Sequence, residues 1–135
     1  MRRYFIWASL IFAALVLVGI VLQLYFIASY LFGEAGALTA HKRTGDIVHA
    51  MEILSFLSAL VGWWGNWRNV AWSFAFAVVG TAQAFAAGNL NSPSNGWLHG
   101  LHGGLVLFVV ALAAYIVLRE SEALGLRDRP ASLPA

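Results

Sequence analysis

Four long apolar stretches dominate this chain of 135 residues, at 4–32, 47–64, 70–87 and 98–118. Each approaches the roughly 20 apolar residues that cross a bilayer as a helix. Lipid cannot satisfy backbone N–H and C=O groups, so spanning segments of this kind fold as helices. The second stretch is the shortest, and its helix is expected to start earlier, near His41. The connections at 33–40, 65–69 and 88–96 are short. The last holds Asn89, Asn91, Pro93, Asn95 and Gly96, which break helices and form turns. Short loops make consecutive helices antiparallel. The expected fold is all-α, a four-transmembrane-helix up-down bundle over residues 1–120, followed by a cytoplasmic C-terminal tail over 121–135. The end after Leu118, RESEALGLRDRPASLPA, is expected to be a short charged helical extension followed by a frayed, Pro-containing tail.

Composition agrees and excludes other classes. Hydrophobic types make up 61% and charged types 10%, against about 25% charged residues in soluble domains. A soluble enzyme, a disordered chain and a nucleic-acid-binding domain are excluded, because the net charge is only +2 and no basic cluster is long enough to follow a phosphate backbone. Without cysteine there is no disulfide, thiolate metal site, iron–sulfur cluster or covalently attached c-type haem.

Orientation is read from Lys and Arg. Arg2, Arg3, Arg68, Arg119, Arg127 and Arg129 fall on one side, and only Lys42 and Arg43 on the other. The positive-inside rule then puts both termini in the cytoplasm. Trp7, Trp63, Trp64 and Trp67 fall near the cytoplasmic interface and Trp97 near the outer one, as an aromatic belt requires. The Arg2-Arg3 start resembles a secretory leader, but the apolar run that follows far exceeds an h-region of about 7–15 residues. It is expected to stay as a span.

The two halves of the chain carry a short match. Gln23 and Gln83 stand near the outer ends of the first and third spans. His41-Lys-Arg-Thr-Gly45 opens the second span, and His99-Gly-Leu-His-Gly103 opens the fourth. Both are His-x-x-x-Gly, 18 and 16 residues after their glutamines. An internal repeat of two parallel hairpins follows, related by an axis along the membrane normal. Helices two and four then run in the same direction, diagonally across the bundle.

All four histidines, His41, His49, His99 and His102, lie in the outer halves of these two segments. Ionisable residues in spans are expensive and mark functional sites, although a single interfacial histidine is ordinary. Two imidazoles on facing helices suit haem b, which needs no thioether attachment. His41 and His99 are the expected axial ligands by symmetry, with His49 and His102 as second candidates or as partners for propionates or a quinone. Gly45 and Gly103, one turn after those histidines, would leave room for the macrocycle, as would Gly80 and Gly104; close helix packing explains such glycines equally well. Gln23 and Gln83 would bond each other, a histidine Nδ1 or a propionate, or serve as interhelical hydrogen-bonding glue.

Glu52 lies in the apolar part of the second span, three residues after His49 and on the same face. It reads as a proton relay toward His49. With His49, His99 and His102 it would instead form a non-haem site for zinc, iron or copper. A protonated carboxyl bonded to Ser55, Ser58 or Gln83 is the plain alternative.

The stretch LQLYFIASYLFG, the His41–Gly45 motif, AQAFAAG and Leu98-His99-Gly-Leu-His102 together resemble a family of small four-span bacterial membrane proteins, common in actinobacteria and without an assigned activity. The resemblance covers most of residues 18–118. It implies the bacterial plasma membrane as location, and His41 and His99 as the matched pair. It departs at 99–102, where the family pattern has His-Pro-x-Asn and this chain has His-Gly-Leu-His. More loosely, the arrangement is similar to bis-His b-type membrane cytochromes.

The leading expectation is a haem b electron-transfer protein near the outer face of the membrane, either alone or as an oxidoreductase subunit. Quinone or a larger oxidoreductase complex would be its partner besides the lipid bilayer. The alternatives are a cofactor-free accessory subunit of a larger membrane complex, or a metal or proton transport protein acting as an oligomer.

Overall fold

The computed structural model describes residues 1–88 and 96–128. The turn expected from Asn89, Asn91, Pro93 and Asn95, together with Arg129 and the chain beyond it, lies outside the described residues. Four helices follow one another: α1 (Arg2–Leu31), α2 (Ala37–Gly62), α3 (Trp67–Gly88) and α4 (Gly96–Leu124). All four are long and apolar enough to cross a membrane. α2 begins at Ala37, a turn before His41, and α4 runs past Leu118 through Arg119 and Glu120.

Local chemistry sets the ends. α1 closes in a Schellman motif. Gly33 takes φ +99°, the Gly33 N–H donates to the Tyr30 carbonyl at 3.0 Å, and the Glu34 N–H donates to the Ser29 carbonyl at 3.0 Å. α4 ends the same way at Gly125, with Leu126 N–H donating to the Ser121 carbonyl at 2.9 Å. Asn66 caps α3, its Oδ1 accepting from the Asn69 N–H at 3.4 Å.

α1 packs on α2 and α4, and α3 packs on α2 and α4; among the described residues the backbones of α1/α3 and of α2/α4 stay more than 8 Å apart at their Cα atoms. The two like-directed helices α2 and α4 are therefore diagonal, as expected. The core is a dry cluster at mid-height, including Val16, Ile20, Val48, Phe76, Val109 and Ile116. Lipid is as apolar as these side chains, so helix association rests on close packing. Gly19 provides such a contact, because a Cβ there would lie 2.3 Å from Val48 Cγ2.

The burial pattern repeats between the halves. Ser9, Ala13, Val16 and Ile20 of α1 correspond to Asn69, Ser73, Phe76 and Gly80 of α3, a shift of 60. Ala37, Val48, Glu52, Ser55 and Ala59 of α2 correspond to Leu98, Val109, Ala113, Ile116 and Glu120 of α4, a shift of 61. All eighteen positions are buried. This register equates His41 with His102, three residues beyond the histidine that the His-x-x-x-Gly match selects.

Gly19→Ala should cost about 1–3 kcal/mol through overpacking against the stiff Val48 side chain. Gly100→Ala, with nothing within 4 Å of its Cβ position, should cost nothing. Reversible unfolding in mixed micelles measures both.

Candidate functional site

The His-bearing end of the bundle holds a half-open cavity of about 790 Å³ lined from all four helices. That volume lies within the range of about 300–1,000 Å³ typical of ligand pockets. His41, Gly45, His49 and Glu52 reach it from α2, His99, His102 and Gly103 from α4, Gln23 from α1, and Gln83 and Gly80 from α3. The histidines, Glu52, the two glutamines, Gly45, Gly80 and Gly103 therefore border one space, together with apolar groups such as Ile20, Leu24 and Val106, while Gly104 does not line it.

Two of the imidazoles come together. The rings of His41 and His102 have centroids 6.4 Å apart and planes at 82°. Each is fixed at its inner nitrogen. His41 Nδ1 lies 3.0 Å from the backbone carbonyl oxygen of Gln23, and His102 Nδ1 lies 3.1 Å from that of Gln83. Only a protonated Nδ1 can donate to a carbonyl, so both rings are held in the tautomer that leaves Nε2 with its lone pair free. The glutamines thus act through main-chain oxygens, whose second lone pair remains after the helical bond is made. The Gln23 amide fills the space beside Gly45, 3.4 Å from where a Cβ would stand. His99 is exposed at the cavity edge.

Glu52 is only 1% exposed. Its Oε2 lies 3.0 Å from His49 Nδ1, and its Oε1 has no hydrogen-bond partner. The carboxylate occupies the volume that a side chain at position 80 would take, since a Cβ on Gly80 would overlap Glu52 Oε2 and Cδ. Gly80 thus makes room for Glu52, where the sequence suggested room for a macrocycle. His49 carries the partner ring at the cavity wall and is 31% exposed at its side chain. Glu52 thus pairs with His49 and not with Ser55, Ser58 or Gln83. Among the described residues no three His, Asp or Glu side chains are grouped to hold a metal ion by themselves. The set His49, Glu52, His99 and His102 is not drawn together in that way.

At the opposite end lies a second polar cluster that the sequence reading assigned to the charged tail extension. Glu120 is fully buried. It accepts from Trp63 Nε1 at 2.8 Å and 3.0 Å, from Ser9 Oγ at 3.2 Å and from Arg119 Nη2 at 2.6 Å. Arg119 also donates to the Asn69 carbonyl at 2.7 Å and to Ser73 Oγ at 3.0 Å, and its guanidinium carbon sits 5.6 Å from the centre of the Trp63 ring. All four helices meet in this cluster. The signal for it was the α4 stripe itself: Val109, Ala113, Ile116, Glu120 and Leu124 recur at helical spacing and are all buried.

Comparison with protein-family models, curated proteins and solved structures gave no match.

Glu120→Ala would leave the Arg119 guanidinium buried without its counter-charge and should destabilise the bundle by about 3–5 kcal/mol. Glu122→Ala breaks only a half-exposed pair 3.9 Å long and should cost about 0–1 kcal/mol. Parallel unfolding curves in detergent measure the difference.

Proposed function

We propose that this four-span membrane protein binds one haem b between His41 and His102 and transfers electrons at that end of the bundle. The observation that carries the reading is the approach of the His41 and His102 imidazoles, with ring centroids 6.4 Å apart and each ring hydrogen-bonded at Nδ1 to a backbone carbonyl. Two imidazoles holding one iron through metal–nitrogen bonds of about 2.0 Å would have centroids about 6.4 Å apart. Hydrogen bonds at Nδ1 fix the tautomer and raise the basicity of a ligating Nε2.

The surroundings fit the group. The cavity wall is mostly aliphatic, and Gly103 has open space where a side chain would project. Lys42 stands on the lining and supplies a cation for a propionate. Haem bound there would supply one-electron chemistry. His41 and His102 would hold it, and the cavity lining would set its electrostatic surroundings. Arg2, Arg3, Arg68, Arg119 and Arg127 at the other end against Lys42 and Arg43 here support an orientation with this site near the outer face of a bacterial plasma membrane.

Protein purified in mild detergent from haem-supplemented cells should show a low-spin b-type spectrum with one haem per chain. His41→Ala and His102→Ala should each abolish it, and His99→Ala should retain it. Colourless wild-type protein, or haem retained without His102, contradicts the reading. The former would favour a cofactor-free subunit of a larger assembly.

A further inference from the structure

A second hollow lies on the seam between α2 and α3. It is a groove of about 530 Å³. Ile53, Phe56 and Leu57 line it from α2, and Phe74, Thr81 and Phe85 from α3. Leu57, Phe74 and Phe85 are exposed on the perimeter of the bundle, so the groove opens toward lipid. Phe56 and Phe74 meet there with ring centroids 5.5 Å apart. The groove adjoins the cavity. On α3, Gly80 and Ala84 border the cavity, while their sequence neighbours Thr81 and Phe85 border the groove. On α2, His49 borders the cavity, and Ile53, one turn on and on the same face, borders the groove.

His49 therefore stands where the two spaces meet, with its side chain 31% exposed. Behind it is the buried Glu52, whose Oε2 lies 3.0 Å from His49 Nδ1. Packing alone does not account for this acid. Its Oε1 is buried without a partner, which costs free energy that an apolar side chain would not. Its counterpart in the other hairpin is Ala113, and that of Gly80 is Ile20, so the bundle accommodates an apolar pair at the equivalent place. What the acid adds is control of the imidazole. When Glu52 is a carboxylate, His49 Nδ1–H donates to it and Nε2 accepts. When Glu52 is protonated, its O–H donates to Nδ1 and Nε2–H becomes a donor. One ring nitrogen thus matches a hydroxyl group in the first state and a carbonyl group in the second.

We propose that His49 is the head-group contact of a binding site for a lipid-soluble quinone. The quinone ring lies against His49 at the inner end of the cavity, and its apolar tail runs along the α2/α3 groove. A quinone presents carbonyl groups, and its reduced form presents hydroxyl groups at the same ring positions, so His49 Nε2 bonds either form. Such a ligand arrives from the bilayer, where the groove opens, and the groove offers its tail aliphatic and phenyl surface with no charged side chain among the described residues. His49 is eight residues from His41, about 12 Å along α2. The ring at His49 and a haem at His41 and His102 therefore sit at different levels of the cavity. The site goes beyond the haem reading and uses neither of those two histidines.

Equilibrium binding to the full chain in phosphatidylcholine nanodiscs tests it, with empty nanodiscs as the blank. The probes are tritiated decylbenzoquinone, its hydroquinone, and an analogue of the same shape with methyl groups in place of both oxygens. The first two should bind saturably, one per chain. The methyl analogue should bind about tenfold more weakly, which is the worth of one hydrogen bond. His49→Leu should hold the quinone only as well as the natural chain holds the methyl analogue. Ile53→Trp fills the groove and should weaken all three probes. Leu107→Trp, on the exposed face of α4, should change nothing. Absence of saturable quinone binding overturns the proposal, as does full affinity in His49→Leu. Equal binding of quinone and methyl analogue to the natural chain also overturns it, and marks the groove as a seat for any lipid chain; that comparison stands even if His49→Leu folds poorly. Bound label is read with or without haem, so this result and the haem spectrum fail independently.

Discussion

A polar side chain inside a membrane span has no water to turn to, and this constraint organises the whole molecule. Each imidazole, carboxylate or hydroxyl in the four helices must be satisfied within the bundle or at its ends. The apolar perimeter gives no alternative: Val21, Leu107 and Phe108 face outward with nothing polar to offer. The polar groups are accordingly sorted to two interior places. His41 and His102 turn to main-chain oxygens of the neighbouring helices, and His49 turns to Glu52. Glu120 gathers Arg119, Trp63 and Ser9. Between them lies the apolar layer around Phe76 and Val109.

The two hairpins share a frame but differ in what they carry. Their burial registers match over nearly the full height, and the imidazoles bonded to Gln23 and Gln83 occupy equivalent places. The acids do not. Glu52 faces a cleared position at Gly80, while Ala113 and Ile20 stand at the equivalents. Glu120 corresponds to Ala59. A symmetric pair of rings thus sits in a bundle with one acid near the cavity and another at the far end. This asymmetry gives the interior a direction.

Much of this was legible before any coordinates. Apolar length established the four helices, and short loops established their antiparallel order. The concentration of histidines in α2 and α4 pointed to the end of the bundle that holds the cavity. The finer facts depend on helix phase, which a short motif match does not define. His-x-x-x-Gly aligned His41 with His99, a shift of 58, whereas the buried stripes shift by 60 from α1 to α3 and by 61 from α2 to α4 and so align it with His102. The role of the glutamines was hidden for another reason: the acceptors are main-chain oxygens, and main-chain atoms leave no trace in residue type. Arg119-Glu120 looked like the start of a solvated extension because two adjacent charges after an apolar run usually are. Only the continuation of the α4 stripe through Glu120 to Leu124 shows that the bundle continues there.

The central proposal is that His41 and His102, whose rings are nearly perpendicular, together hold one haem iron. Low-temperature electron paramagnetic resonance of the ferric, haem-loaded protein reads that geometry directly. Perpendicular axial imidazoles, at the 82° recorded here, predict a highly anisotropic low-spin signal with a single large g value dominating. A rhombic signal of the kind given by parallel rings, or a high-spin signal from an iron with only one histidine, would contradict the account.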